Sequence, residues 1–118
     1  MRHRNSAYFR RRIKSALRRL KEIGPFVAAS LVRVRHRCGN PNCHCASGKG
    51  HPAWRLTYKK KGQKTVTVYV PVDKVKEVRQ WVQNYRELKK LVAEISAAQI
   101  KLVRLHVTEK RRKRKPSA

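Results

Sequence analysis

Residues 30–59 read SLVRVRHRCGNPNCHCASGKGHPAWRLTYK, two alternating stretches around a loop that holds all three cysteines of the chain. The first stretch, residues 30–37, has strand periodicity. Val32, Val34 and His36 are expected on one face, turned inward, and Arg33, Arg35 and Arg37 on the other. Arginines at every second position repeat at about 6.6 Å and make a cationic row. They also suit an edge strand that charge protects from unwanted pairing. After the loop, WRLTYKK places Trp54, Leu56 and Tyr58 on one face and Arg55, Thr57 and Lys59 opposite. KKGQK supplies a turn, TVTVYV returns with Val66, Val68 and Val70 inward, and Pro71 ends the pairing. The sum is a small three-stranded antiparallel sheet. Trp54 and the tyrosines are read as core of that sheet rather than as base-stacking platforms.

Helices flank the sheet. Asn5 or Ser6 can cap a first helix running to about Ile23, with Phe9, Ile13, Leu17 and Leu20 at helical spacing, before Gly24-Pro25 stops it. Its remaining surface carries Arg10, Arg11, Arg12, Lys14, Arg18, Arg19 and Lys21. From Asp73, placed to cap or to meet the positive helix end, no Gly or Pro interrupts a second helix until Pro116. Val75, Val78, Val82 and Tyr85 set its rhythm, which shifts by one residue into Leu88, Leu91, Ile95, Ala98, Leu102 and Leu105. About 32 residues extend near 48 Å, more than a three-stranded sheet can cover. The distal half is left to the first helix, to a second copy of the chain, or to a break at Ser96-Ala97-Ala98 that folds the end back. The expected class is therefore α+β: an N-terminal helix, a three-stranded antiparallel sheet with a zinc loop, and a long C-terminal helix. The segments are a basic amphipathic helix (1–24), the sheet (25–71) with its zinc loop (38–51), the long helix (72–108) and a disordered basic tail (109–118).

The loop concentrates soft ligands. Cys38, Cys43, Cys45 and His51 form C-x4-C-x-C-x5-H, three thiolates and an imidazole, a full tetrahedral set for one structural Zn2+. Gly39, Pro41, Gly48 and Gly50 allow the turns that closing around one ion requires. His36 rivals His51 as fourth ligand, and His44, between two cysteines, points away. A metal here would join strand one to strand two and offset the small core of a 118-residue chain. Catalytic zinc needs an open position and a nearby acid or base. The six carboxylates, Glu22, Asp73, Glu77, Glu87, Glu94 and Glu109, all lie outside the loop. No catalytic triad, phosphate-cradling glycine loop or carboxylate pair is present, so an enzyme is not expected.

Charge points to the partner. Thirty-two Lys and Arg against six acids give a formal +26, which repels itself in a compact fold and favours a polyanion. The expected phosphate contacts are Arg10, Arg11, Arg12, Lys14, Arg18 and Arg19 on the first helix, the Arg33–Arg35–Arg37 row, and the Lys59–Lys60–Lys61 turn. The terminal run Arg111, Arg112, Lys113, Arg114 and Lys115 completes the set as an arm along phosphates, or else serves as a solubilising tail. No run approaches the roughly 18 apolar residues of a membrane span, and the N-terminus lacks the apolar core of a signal peptide. A reducing compartment, the prokaryotic cytosol or nucleoid, is expected, in which clustered cysteines bind metal rather than pair.

CGNPNCHC from Cys38, YVP from Tyr69 and NYR from Asn84 resemble a family of short prokaryotic proteins without an assigned role. That family carries a Cys-Gly-x-Pro-x-Cys-x-Cys loop, a His-Gly-Pro-aromatic step, a Tyr-Val-Pro strand end and a helical Asn-Tyr-Arg. The resemblance covers about residues 30–95, and HPAW at His51 departs from it by lacking the glycine. It implies the zinc loop and a bacterial, archaeal or mobile-element origin, and no activity.

The leading expectation is a non-enzymatic, zinc-stabilised nucleic-acid-binding protein, dominated by phosphate contacts and leaning to RNA as part of a ribonucleoprotein. One alternative is a DNA-binding accessory or regulatory protein of a mobile element. Another is an interaction module whose long helix docks a second copy or a different protein.

Overall fold

A computed structural model describes residues 4–37, 39–43, 48 and 50–114. Its elements are α1 (Ser6–Glu22), β1 (Ser30–His36), β2 (His51–Lys59), β3 (Thr65–Val70) and, after a 3-10 turn at Val72–Lys74, α2 (Val75–Arg114). The α+β class and the order helix, three antiparallel strands, long helix are as the sequence implies. No helix among the described residues is long and apolar enough to cross a membrane.

The chain forms two compact units. One spans Gly24–Tyr85, and in the other residues 4–23 join residues 86–114. Helix α2 supplies residues to both, and each unit has its own core.

In the first unit the sheet order is β1-β2-β3. Its core is Val70, Val75, Val78 and Val82, with Val27, Leu31, Trp54, Leu56 and Trp81 packed against it. Register corrects the reading of β1. Leu31 pairs with Leu56 and Arg33 with Trp54, while Val32 pairs with Arg55 and Val34 with Ala53. Directly paired residues of antiparallel strands project to the same side. Leu31, in phase with the arginines, therefore faces the core. Val32, Val34 and His36 lie on the opposite face, where Val32 is exposed. One leucine facing a leucine and a helix outweighs two valines, because burial depends on what covers the face and not on the strand's own count. β3 follows its pattern at Val70, whereas Val68 stays exposed.

The connection out of α1 is held by helix α2. The Val27 N–H donates to the Trp81 carbonyl at 3.2 Å, and Asn84 Nδ2 donates to the Pro25 carbonyl at 2.7 Å. Phe26 stacks on Tyr85 with centroids 6.1 Å apart. Asp73 lies in the 3-10 turn rather than at a side-chain cap, and the turn closes through the Lys74 N–H on the Pro71 carbonyl at 2.9 Å.

In the second unit α1 starts at an Asn5 cap, whose Oδ1 accepts from the Tyr8 N–H at 3.0 Å. Arg12 meets Glu94 and Arg19 meets Glu87, each at 2.6 Å. Positions fall along α1 as they rise along α2, so the two helices run antiparallel. The distal half of α2 is thus covered by α1, one of the three options left open by length alone. Its buried positions, Leu91 and Ala98, with Leu88, Ile95, Leu102 and Leu105 half-buried, reproduce the shifted rhythm. On α1 the stripe differs by one position. Ala16 is buried beside Ile13, and Leu17 is 48 % exposed. Both 9-13-17-20 and 9-13-16-20 are helical spacings, and the small side chain at 16 is the one that admits a close helix.

Helix α2 continues without a break through Ser96-Ala97-Ala98 and on to Arg114. Residues 109–114, read from sequence as disordered tail, are helical. Thr108 Oγ1 donates to the Arg104 carbonyl at 2.9 Å, and four cations in the last turn oppose the negative helix end.

Candidate functional site

The cysteine loop leaves β1 at His36 and enters β2 at His51, residues that face each other in the ladder. Its neck is narrow. Gly50 has φ +85°, and a Cβ built there would lie 2.9 Å from the His36 carbonyl oxygen and 3.2 Å from the Arg37 nitrogen. Backbone stands against backbone, so nothing flexible can yield. Gly50→Ala is expected to destabilise the protein by about 2 kcal/mol. Gly62→Ala, where φ is +90° but no atom lies within 4 Å of the added carbon, is expected to cost about 1 kcal/mol. Urea denaturation of the two variants checks the difference.

A tight turn fixes the first limb. The Cys43 N–H donates to the Asn40 carbonyl at 3.1 Å, and the Asn42 N–H to Asn40 Oδ1 at 3.0 Å. Pro41 sits at the second turn position, where its fixed φ is favourable. Cys43 is half-buried, and its Sγ stands 3.2 Å from His51 Nε2. Two ligands of one tetrahedral zinc, at about 2.3 Å for sulfur and 2.0–2.1 Å for nitrogen, are separated by about 3.5 Å. The observed 3.2 Å is a hydrogen-bond contact somewhat shorter than that separation. Cys38, Cys45 and His44 lie outside the described residues, and among those described no three metal-ligating side chains gather. His36, the rival ligand, sits across from His51 on the face away from the core, not on the inward one.

Two arginines of the β1 row hold the returning limb. Arg35 Nη1 donates to the Gly50 carbonyl at 3.3 Å, and Arg37 Nη2 to the Gly48 carbonyl at 3.2 Å. Arg33 shares the core-side face with Trp54, whose ring lies 5.3 Å below the Arg79 guanidinium. That cation covers a ring face that a base would need.

The α1 cations divide into two groups. Arg12 and Arg19 reach across to Glu94 and Glu87. The Tyr8 hydroxyl, accepting at 3.0 Å, and then Glu94 hold the Arg12 pKa above its ordinary value. Arg10, Arg11, Lys14 and Arg18 stay exposed. A groove of about 640 Å³ between α1 and α2 adds Arg4, Lys101 and Arg104 beside Tyr8, with Arg4 stacked 4.2 Å over that ring. Elsewhere, the Lys60 N–H donates to the Lys64 carbonyl at 2.7 Å, closing a turn that displays Lys59, Lys60 and Lys61 to solvent. Arg111, Arg112, Lys113 and Arg114 are exposed on the last turn of α2, and Lys115 lies outside the described residues.

The sequence reading passed over one arrangement. Tyr69, treated with the core aromatics, is 65 % exposed and pairs with Arg55 on the sheet face away from the core. Alternation with the inward Val70 carried that signal.

No curated protein and no solved structure matches the chain. A family profile described as "Domain of unknown function (DUF6788)" matches residues 7–80, taking in α1, the cysteine loop, all three strands and the start of α2. That stretch is more than half of the 118 residues, and the chain belongs to the DUF6788 family.

Proposed function

We propose that this protein is a non-enzymatic nucleic-acid-binding protein, fastened by one structural zinc and gripping its partner mainly through phosphates, with RNA preferred over DNA. The observation that carries the reading is the placement of the charge. No Asp or Glu occurs between Glu22 and Asp73, a stretch that includes the whole sheet and its loops. Three of the six acids, Glu77, Glu87 and Glu94, are already engaged by Lys74, Arg19 and Arg12. The exposed cations of α1, of the Lys59–Lys61 turn and of the end of α2 therefore have few internal counterions, and a phosphate polymer would supply them.

Cys43 and His51, with Cys38 and Cys45, would hold the zinc, which supplies a cross-link between the end of β1 and the start of β2. The Cys43–His51 approach and the turn at Asn40 support that role. A prokaryotic cytosol or nucleoid, reducing and rich in polyanions, fits the same reading.

If about eight phosphates are neutralised, log K should fall against log salt with a slope of roughly −7. Tight binding with a slope shallower than about −2 would contradict a phosphate-led mode. Competition between matched RNA and DNA, run in the same titration, tests the preference, and equal displacement by both would remove it in favour of the DNA-accessory reading.

A second reading draws on α2 itself. Val92, Ile100, Val103 and Val107 are exposed along the helix, a surface on which a partner helix would fit. A stable dimer in high salt after nuclease treatment, with no retained nucleic acid, would favour this interaction role.

A further inference from the structure

The core packs one face of the sheet and leaves the other without a cover from that cluster, since Leu31, Trp54, Leu56 and Val70 all project to the packed side. Row by row across the three strands, the outer face carries Ser30–Thr57–Thr67 and then Val32–Arg55–Tyr69. Tyr69 is more exposed than any other aromatic ring among the described residues. A ring standing in water on a sheet face keeps a large apolar area uncovered, and its neighbours decide what can cover it. Here the direct cross-strand neighbour is a guanidinium, the adjoining row is hydroxyl-bearing, and no carboxylate occurs in the sheet. An acidic or purely apolar partner would use one of these features. A nucleotide uses all three, with a π-face for the ring, a phosphate for the arginine and a ribose for the hydroxyls.

We infer that this face seats an unpaired RNA segment: one base stacks on Tyr69, the adjoining phosphate meets Arg55, and ribose hydroxyls meet the Ser30–Thr57–Thr67 row. The inference rests on the nucleic-acid reading above and adds a site and a strandedness to it. Bases within a duplex are already covered by their neighbours, so an exposed ring on a sheet face selects unpaired ones. The 2′-hydroxyl, donor and acceptor at once, is the group that the Ser and Thr row can recognise and DNA lacks.

The test is anisotropy of labelled short oligouridylate, with oligothymidylate of equal length and an RNA duplex beside it. Tyr69→Ala is expected to weaken oligouridylate binding about 10-fold, in the range of one lost base stack. The salt slope should stay at the wild-type value, because no charge is removed. Tyr69→Phe keeps the ring and should bind within about twofold of wild type. Duplex binding should be unchanged by either substitution. Oligouridylate affinity unaltered by Tyr69→Ala, or an equal loss on duplex, would overturn the stacking site while leaving the phosphate-led reading in place. Equal affinity for oligothymidylate would overturn the assignment to RNA. Failure of all three probes to bind would instead remove the nucleic-acid function itself.

Discussion

Stripping metal from the purified protein with a chelator is expected to abolish cooperative unfolding of the sheet unit. The buried core of that unit consists of four valines, with partly exposed residues packed around it. A core this small leaves little margin against the chain entropy of ordering a three-stranded sheet. Zinc held by a Cys3His set contributes an apparent ~10–16 kcal/mol, comparable to or above the ~5–15 kcal/mol net stability of a typical domain. Loss of the ion therefore removes more than the remaining contacts supply. Cys43→Ser and His51→Ala, which alter the two side chains that stand 3.2 Å apart, should behave like the chelated protein. The α1–α2 unit draws its core from Ile13, Ala16, Leu91 and Ala98, so most helical circular dichroism should survive while the sheet signal and near-ultraviolet signal are lost. Metal analysis is expected to give one zinc per chain. A metal-free preparation that melts at the same temperature as the untreated protein would eliminate the zinc clasp.

Replacing Arg10, Arg11, Lys14 and Arg18 together by alanine is expected to weaken RNA binding about a thousandfold at ~0.15 M salt and to make the log K–log salt slope shallower by about 4. Each phosphate contact carries about 0.9 of slope, and these four cations are exposed on α1. Alanine is a better helix former than any of them, so α1 should persist. The matched control is Arg12→Ala with Arg19→Ala. Those side chains face Glu94 and Glu87, and losing two solvent-screened pairs should lower stability only slightly, with a smaller change of slope. Filter binding across a salt series reads both. If the quadruple variant keeps the wild-type slope, α1 does not lie along phosphates.

The order of elements, the loop and the placement of charge were legible in the chain because each is a short-range property. Asn5 before an Arg-rich amphipathic run, and Pro71 after alternating valines, act within a few residues. Three cysteines and a histidine within 14 positions are the local pattern from which the zinc proposal starts. Only the tertiary structure decided that Leu31, and not Val32 with Val34, faces the core. The same holds for Ala16 over Leu17 on α1, and for Arg12 and Arg19 turned to glutamates. In each case two faces of one element were similarly apolar or similarly charged, and the choice fell to partners distant in sequence: the register set by β2, the close approach of α2, and the positions of Glu87 and Glu94. Periodicity states that an element has two sides. Which side is buried depends on the volume and charge that arrive from elsewhere in the fold.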